Sequence, residues 1–194
     1  MHALRNFFVT SAVTIAALAF ASCNAQASGW HTYRDPNGLF SVAYPPGWSV
    51  DTSHTYTALG PGKEIHGVAF KVNPDFTKGT NLSTDSYFAV EVLPGAAQCT
   101  PDLFLDDAVD KVRTKPGRHG ITWLVLDGAD AGAGNIYDET VQAAADSKPC
   151  IATRAFAHST NVGNYDPGTV KAFNAAAFNR TIDRMRASLR LSLR

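Results

Sequence analysis

Net charge is missing from this sequence, and so are most of the residue types that announce chemistry. Seventeen Lys and Arg stand against 17 Asp and Glu in 194 residues. Without a basic excess the chain has no general attraction for nucleic acid or an anionic membrane surface. Only three cysteines are present, too few for a disulfide-dense scaffold or a cysteine-built metal cluster. The uncharged N-terminal run Phe7 to Ala21 is 15 residues long, short of the roughly 20 that a membrane-spanning helix needs. Preceded by Arg5 and followed by small residues, it reads as an export signal. Internal repeats, low-complexity tracts and Pro/Ser-rich linkers are also absent. The expected organisation is a signal over residues 1–27 and one domain over 28–194. Once Arg5 has left with the signal, 16 basic residues face 17 acidic ones.

Two cleavage sites compete. Ala25-Gln26-Ala27 fits ordinary signal peptidase, which gives a soluble exported protein. Ala19-Phe20-Ala21-Ser22-Cys23 resembles a bacterial lipobox. On that reading the signal is residues 1–22, and Cys23 is lipidated and anchors the protein to the membrane. The remaining pair, Cys99 and Cys150, is expected to form a disulfide in an exported chain. It closes a loop of 51 residues, worth about 4 kcal/mol in the chain-entropy view.

What the sequence does contain is strand and turn chemistry. Trp30 to Arg34 reads as a short strand, Asp35-Pro36-Asn37-Gly38 as a turn, and Phe40, Val42 and Tyr44 as one face of a second strand. Pro45-Pro46-Gly47 stops the hairpin, because residues without N–H groups cannot continue a ladder. Strands are also expected at Thr55–Leu59, Val68–Val72, Phe88–Val92, Gly120–Leu126, Ile136–Ala143 and Cys150–Ser159. Residues 73–86 read as an exposed loop, and the glycine-rich Asp127–Asn135 stretch as a long hairpin loop. Thr100-Pro101 and Asp166-Pro167 look like N-cap and first helical position, predicting helices over about 101–114 and 167–187. Phe178, Ile182, Met185 and Leu189 form one apolar stripe on the second. Alternation from Ser188 onward predicts a short terminal strand. The class is α+β, a mostly antiparallel central sheet of about six to eight strands covered by two main helices.

The stretch Tyr33 to Trp48 resembles the Y-x-D-x-x-x-G-F-S-I-x-Y-P-x-x-W opening of PsbP-like proteins. Leu39-Phe40 stands where that family has an aromatic after Gly, and Pro45 and Trp48 match directly. The resemblance implies a central antiparallel sheet covered by helices, often serving as an accessory or binding module. It implies no role in photosynthesis, since the Cys99–Cys150 pair and the Asp127–Asn135 turn depart from the plant pattern.

No catalytic constellation is selected by spacing. His31, His54, His66, His119 and His158 show no i,i+2 or i,i+4 pair, so a local metal site is not expected. Asp127, Asp130 and Asn135 lack the spacing of a calcium loop. Asp138 and Glu139 are adjacent on a strand and point to opposite faces, so at most one meets a cleft. No cofactor is expected. The candidate ligand or partner surface is Trp30, Tyr33, Tyr44 and Trp48 together with the basic stripe Arg180 and Arg184. The function expected is a non-catalytic cell-envelope accessory or binding module, monomeric, with an unidentified envelope protein or component as partner. The rival readings are an envelope hydrolase with a site assembled from distant Ser, His and Asp residues, and an inhibitor of such a hydrolase.

Overall fold

The computed structural model describes residues 29–106 and 108–192. The export-signal reading and Cys23 lie outside them. Strands β1 (His31–Arg34) and β2 (Phe40–Tyr44) form the expected hairpin, with His31 opposite Tyr44 and Arg34 opposite Ser41. The Asp35 side chain accepts from the Leu39 N–H, and Gly38 closes the turn onto the Asp35 carbonyl. Next come β3 (Ser49–Asp51), β4 (Thr55–Tyr56) and β5 (Ile65–Lys71), the short helix α1 (Pro74–Thr77) and β6 (Tyr87–Leu93). The second half holds β7 (Arg113–Pro116), β8 (Thr122–Gly132), β9 (Asn135–Ala144), β10 (Cys150–Thr160), helix α2 (Ala175–Ser188) and β11 (Arg190–Leu191).

All pairings between these strands are antiparallel. The large sheet has eight strands, in the order β3-β5-β6-β10-β9-β8-β7 with β4 beside β5. A second sheet, β1-β2-β11, has three. The fold class is therefore α+β, as expected.

Because side chains alternate across a strand, the large sheet has two faces with separate cores. On one face Phe70, Phe88, Val90, Val125 and Ile151 pack beneath α2 and the small sheet. The predicted stripe of Phe178, Ile182, Met185 and Leu189 is buried there. Helix α2 starts later than expected. Gly168, with φ 84°, turns the chain after Asp166, and Asn174 caps the helix by accepting from the Ala177 N–H at 2.9 Å.

The opposite face carries a smaller core of Ile65, Phe104, Leu105, Leu126, Val141 and Ala152. Among the described residues no helix covers it, which corrects the expectation for residues 101–114. Pro101–Leu103 makes one 3-10 turn, and the described residues after it form an irregular strap over the sheet. One local fact explains this. The Phe104 carbonyl accepts from Arg154 Nη2 at 2.6 Å and so is taken by a side chain from the sheet instead of a helical N–H. Ala108 then bridges to Gly128.

Two loop readings also change. The Asp127–Asn135 stretch is not a long loop. Strands β8 and β9 continue through it to a two-residue turn, Ala133-Gly134, with φ of 50° and 83°. Positive φ at both positions suits the right-handed twist of the flanking strands. Residues 73–86 are not fully exposed either. Asn81 is buried, donates from Nδ2 to the Thr160 carbonyl and accepts at Oδ1 from the Phe173 N–H, tying this segment to the end of β10.

Cys99 and Cys150 are bonded, with Cα atoms 4.9 Å apart and a sequence separation of 51. The bond fixes the start of the strap to the start of β10. Reduction should lower stability by about 2–4 kcal/mol through regained loop entropy. Denaturant melts of the reduced protein and of a Cys99→Ser/Cys150→Ser variant should agree on this loss, and unchanged melts would contradict it.

Candidate functional site

The second face of the large sheet is built around one charge. Along β10 its residues are Cys150, Ala152, Arg154, Phe156 and His158, set by the period of two. Arg154 lies opposite Ala89 on β6 and Val141 on β9, so the diagonal neighbours Glu91 and Glu139 flank it. Gly67 on β5 lies opposite Glu91, and a Cβ there would stand 2.2 Å from the Val90 carbonyl oxygen, so the position takes no side chain.

Arg154 has no solvent exposure, and each of its three nitrogens donates a hydrogen bond. Nε donates to Glu91 Oε1 at 2.8 Å and Nη2 to Glu91 Oε2 at 3.0 Å. Nη1 donates to Glu139, and Nη2 also donates to the Phe104 carbonyl. The guanidinium carbon stands 3.4 Å from the centre of the Tyr56 ring. On the far side of Glu91, His54 Nε2 lies 3.1 Å from Oε1.

The two carboxylates differ because one cation serves both. Burial opposes ionisation of Glu91, yet the Arg154 charge and the hydrogen bonds from Arg154 and His54 hold its pKa below the ordinary 4.5. At Glu139 burial prevails over Arg154, and the nearby Glu91 charge adds to it, so its pKa is raised. Burial pushes the Tyr56 phenol up to about 12 and also raises Tyr87. Burial disfavours the charge on Arg154, but Glu91 and Glu139 more than offset it and its pKa is raised. All these directions describe a guanidinium locked in its charged state.

Glu139 is the member that reaches the surface. It borders a cleft of about 280 Å³ whose wall includes Tyr56, Tyr137 and Phe156 and whose edge carries Asp106 and Asp130. The aromatic wall extends past the cleft, as Tyr87 packs on Phe156, Phe156 on Tyr137, and Tyr137 on His158 at centroid spacings of 5.1, 6.2 and 4.5 Å. The expectation that only one of Asp138 and Glu139 meets a cleft holds, and Glu139 is the one.

His158 bears on the hydrolase reading. Its Nδ1 lies 3.0 Å from Asp85, the arrangement of a base and its orienting acid. Burial opposes ionisation of Asp85, but hydrogen bonds from Ser83 and His158 outweigh it and lower its pKa. The other ring nitrogen, Nε2, meets Asn135 Oδ1 at 3.0 Å, where a nucleophile would stand in a triad. The Ser86 hydroxyl bonds instead to the backbone of His158. Among the described residues no group of three or more His, Cys, Asp or Glu is placed to hold a metal ion.

The aromatics singled out in the sequence lie mostly inside. Trp48 is buried and packs against Phe76 and Phe178, so it belongs to the core and not to a surface. Tyr33 and Tyr44 are half-buried and pack on Phe70, joining the small sheet to the large one. Trp30 is half-buried beneath Arg184, whose guanidinium stands 4.1 Å from the ring centre. Arg180 is exposed. The structure thus brings Trp30 and Arg184 together, leaves Arg180 apart and places the cleft on the other face. Sequence reasoning missed Arg154, Glu91 and Tyr56. Their signal was a lone acid inside Tyr87–Leu93 and a lone base inside Cys150–Thr160, opposite charges in the middle of two apolar strands.

No protein family and no curated protein matches the chain. Among solved structures it is similar to cyanobacterial PsbP (CyanoP) from Synechocystis sp. PCC 6803, with a TM-score of 0.48 and 13% identity over 89% of this chain and 98% of that one. A structure from Bacteroides thetaiotaomicron VPI-5482 matches 84% of this chain with a TM-score of 0.44 and 17% identity. The match takes in 48% of the Bacteroides chain.

The Arg154 junction predicts different pH responses in two proteins. In the wild type Glu91 stabilises the fold above its ordinary value of 4.5 and loses this only as pH falls through its lower folded value, while the raised Glu139 gives a small gain as pH falls towards 4.5. Arg154→Met leaves two buried carboxylates without a counter-charge and should cost about 3–5 kcal/mol at pH 7. Their folded pKa values then rise above the ordinary value, so the variant should gain stability as pH falls towards 5. Urea melts at pH 7 and 5 check this, and an Arg154→Met protein with the wild-type pH slope would contradict it.

Proposed function

We propose that the chain is an exported, non-catalytic binding module of the cell envelope, and that its cleft takes a cationic side chain of a partner protein. The observation that carries this reading is the pairing of three aromatic rings with the carboxylates of Glu139, Asp106 and Asp130 around one opening. Ring faces attract cations, and carboxylates at the rim steer them in. The protein's own Arg154, held between Tyr56 and Glu139, is an internal example of the recognition that the cleft offers outward. Export agrees with the N-terminal apolar run, and the disulfide fits an oxidising compartment. Lipidation of Cys23 completes the proposal as its means of anchoring.

Asp106 and Asp130 are exposed, so Asp106→Asn/Asp130→Asn removes rim charge with little effect on folding. Wild-type protein used as bait in an envelope extract should retain a partner at low salt, release it as salt is raised and lose it in this double variant. Equal recovery by wild type and variant would contradict the proposal. The mass of the native N-terminus tests the anchor, with a lipid-modified Cys23 expected and an unmodified Ser28 start contradicting it.

A further inference from the structure

A second site is built on the helix side of the large sheet, away from the cleft. Arg186 leaves α2 and passes into the protein, with 7% of its side chain exposed. Nε donates to Thr153 Oγ1 at 3.0 Å, and Nη1 donates to Asp183 Oδ1 at 3.2 Å. Nη2 is buried and has no partner. Gln142 on β9, directly opposite Thr153 in the ladder and 4% exposed, has a buried Oε1 that also has no partner. Both side chains line a cavity of about 370 Å³ whose wall includes Trp123 and whose mouth is set by Lys115 and Arg118.

The combination is unusual in chemical terms. A buried donor that belongs to a cation and a buried acceptor both lack a partner in side chains that line one cavity, and each unpaired group costs stability, the charged one more. Among the described residues Asp183 is the only acid in the wall, against Lys115, Arg118 and Arg186, and it is itself 62% exposed. Burial accordingly pushes the Arg186 pKa down to about 10. The wall calls for an anion of charge near −2 that accepts from Nη2 and carries one proton of its own to give to Gln142 Oε1. A carboxylate supplies no such proton, and neither does sulfate. A phosphoryl group carries about −1.5 to −2 near pH 7, and hydrogen phosphate keeps one P–OH donor.

We propose that this cavity is a phosphate-binding site, in which Arg186 Nη2 donates to a phosphoryl oxygen, Gln142 Oε1 accepts from a hydroxyl on or next to the phosphorus, and Lys115 and Arg118 attract the anion at the mouth. The phosphoryl group comes either as free hydrogen phosphate or as the phosphomonoester of a polyol, whose neighbouring hydroxyl replaces the P–OH. The cavity exceeds a single phosphate and accepts either.

The test is titration of the full mature chain with inorganic phosphate, sulfate and glycerol 1-phosphate at constant ionic strength. The Trp123 indole N–H resonance and calorimetry supply the readouts. Saturable binding of phosphate or glycerol 1-phosphate, with sulfate at least tenfold weaker, is expected, and the tighter of the two identifies the source. Gln142→Leu should abolish the preference over sulfate while retaining anion binding. Lys115→Ser/Arg118→Ser alters only exposed side chains, so the fold is kept, and it should weaken all three anions about tenfold or more. Equal affinity for sulfate and phosphate in the wild type would overturn the proposal. So would the absence of any saturable shift, which would leave bound water as the partner of both groups. Binding unchanged by Lys115→Ser/Arg118→Ser would place the anion elsewhere and overturn it as well.

Discussion

A charge with no access to water must be surrounded by partners or it destabilises everything packed around it, and Arg154 is surrounded on every side. Glu91 takes it bidentately from β6, Glu139 from β9, the Phe104 carbonyl from the strap, and the Tyr56 ring covers its face. Four separate stretches of chain converge on one guanidinium. Burying the ions costs several kcal/mol each before their attraction is counted, so the junction adds less to net stability than its contacts suggest. What it enforces is arrangement. A slipped register of β6 or β9 would move Glu91 or Glu139 to the other face and leave Arg154 unpaired.

This constraint connects the disulfide, the strap and the cleft. The bond between Cys99 and Cys150 fixes one end of the strap, and Arg154 holds the Phe104 carbonyl five residues further on. Between them the segment is pinned firmly enough to replace a covering helix over the second core. Leu105 and Asp106, which follow the pinned carbonyl, become one wall of the cleft, while Glu139 turns its outer side to the same opening. The cleft is therefore the outer side of a structural junction, and its rigidity comes from the same bonds.

Much of the fold could be read from the sequence because period and punctuation agreed there. The hairpin of β1 and β2 carried a full turn, and the α2 stripe kept its spacing through four residues that are all buried. The helix expected at 101–114 carried cap signals but only a sparse stripe of Leu103, Ala108 and Val112. Local signals at Thr100-Pro101 made one turn, and long-range demands on Phe104 and Leu105 decided the rest. The cleft was hidden for a different reason. Tyr56, Glu91, Glu139 and Arg154 come from four strands, and no spacing rule relates them. Trp48 and Tyr44 stood out in the sequence for the opposite reason, since large aromatics in a turn-rich stretch look like a surface until α2 is known to cover Trp48 and the large sheet to cover Tyr44.

The central claim is that Arg154 is a locked, dehydrated cation that organises the second face of the sheet. Solvent exchange of arginine side-chain N–H groups, followed by nitrogen-resolved NMR in the folded protein, tests it most directly. Arg180, exposed on α2, serves as the internal reference. The account predicts an Arg154 Nε–H that exchanges orders of magnitude more slowly than that of Arg180, with separately resolved Nη protons that reflect hindered rotation. An Arg154 Nε–H exchanging as fast as that of Arg180, with averaged Nη signals, would contradict it.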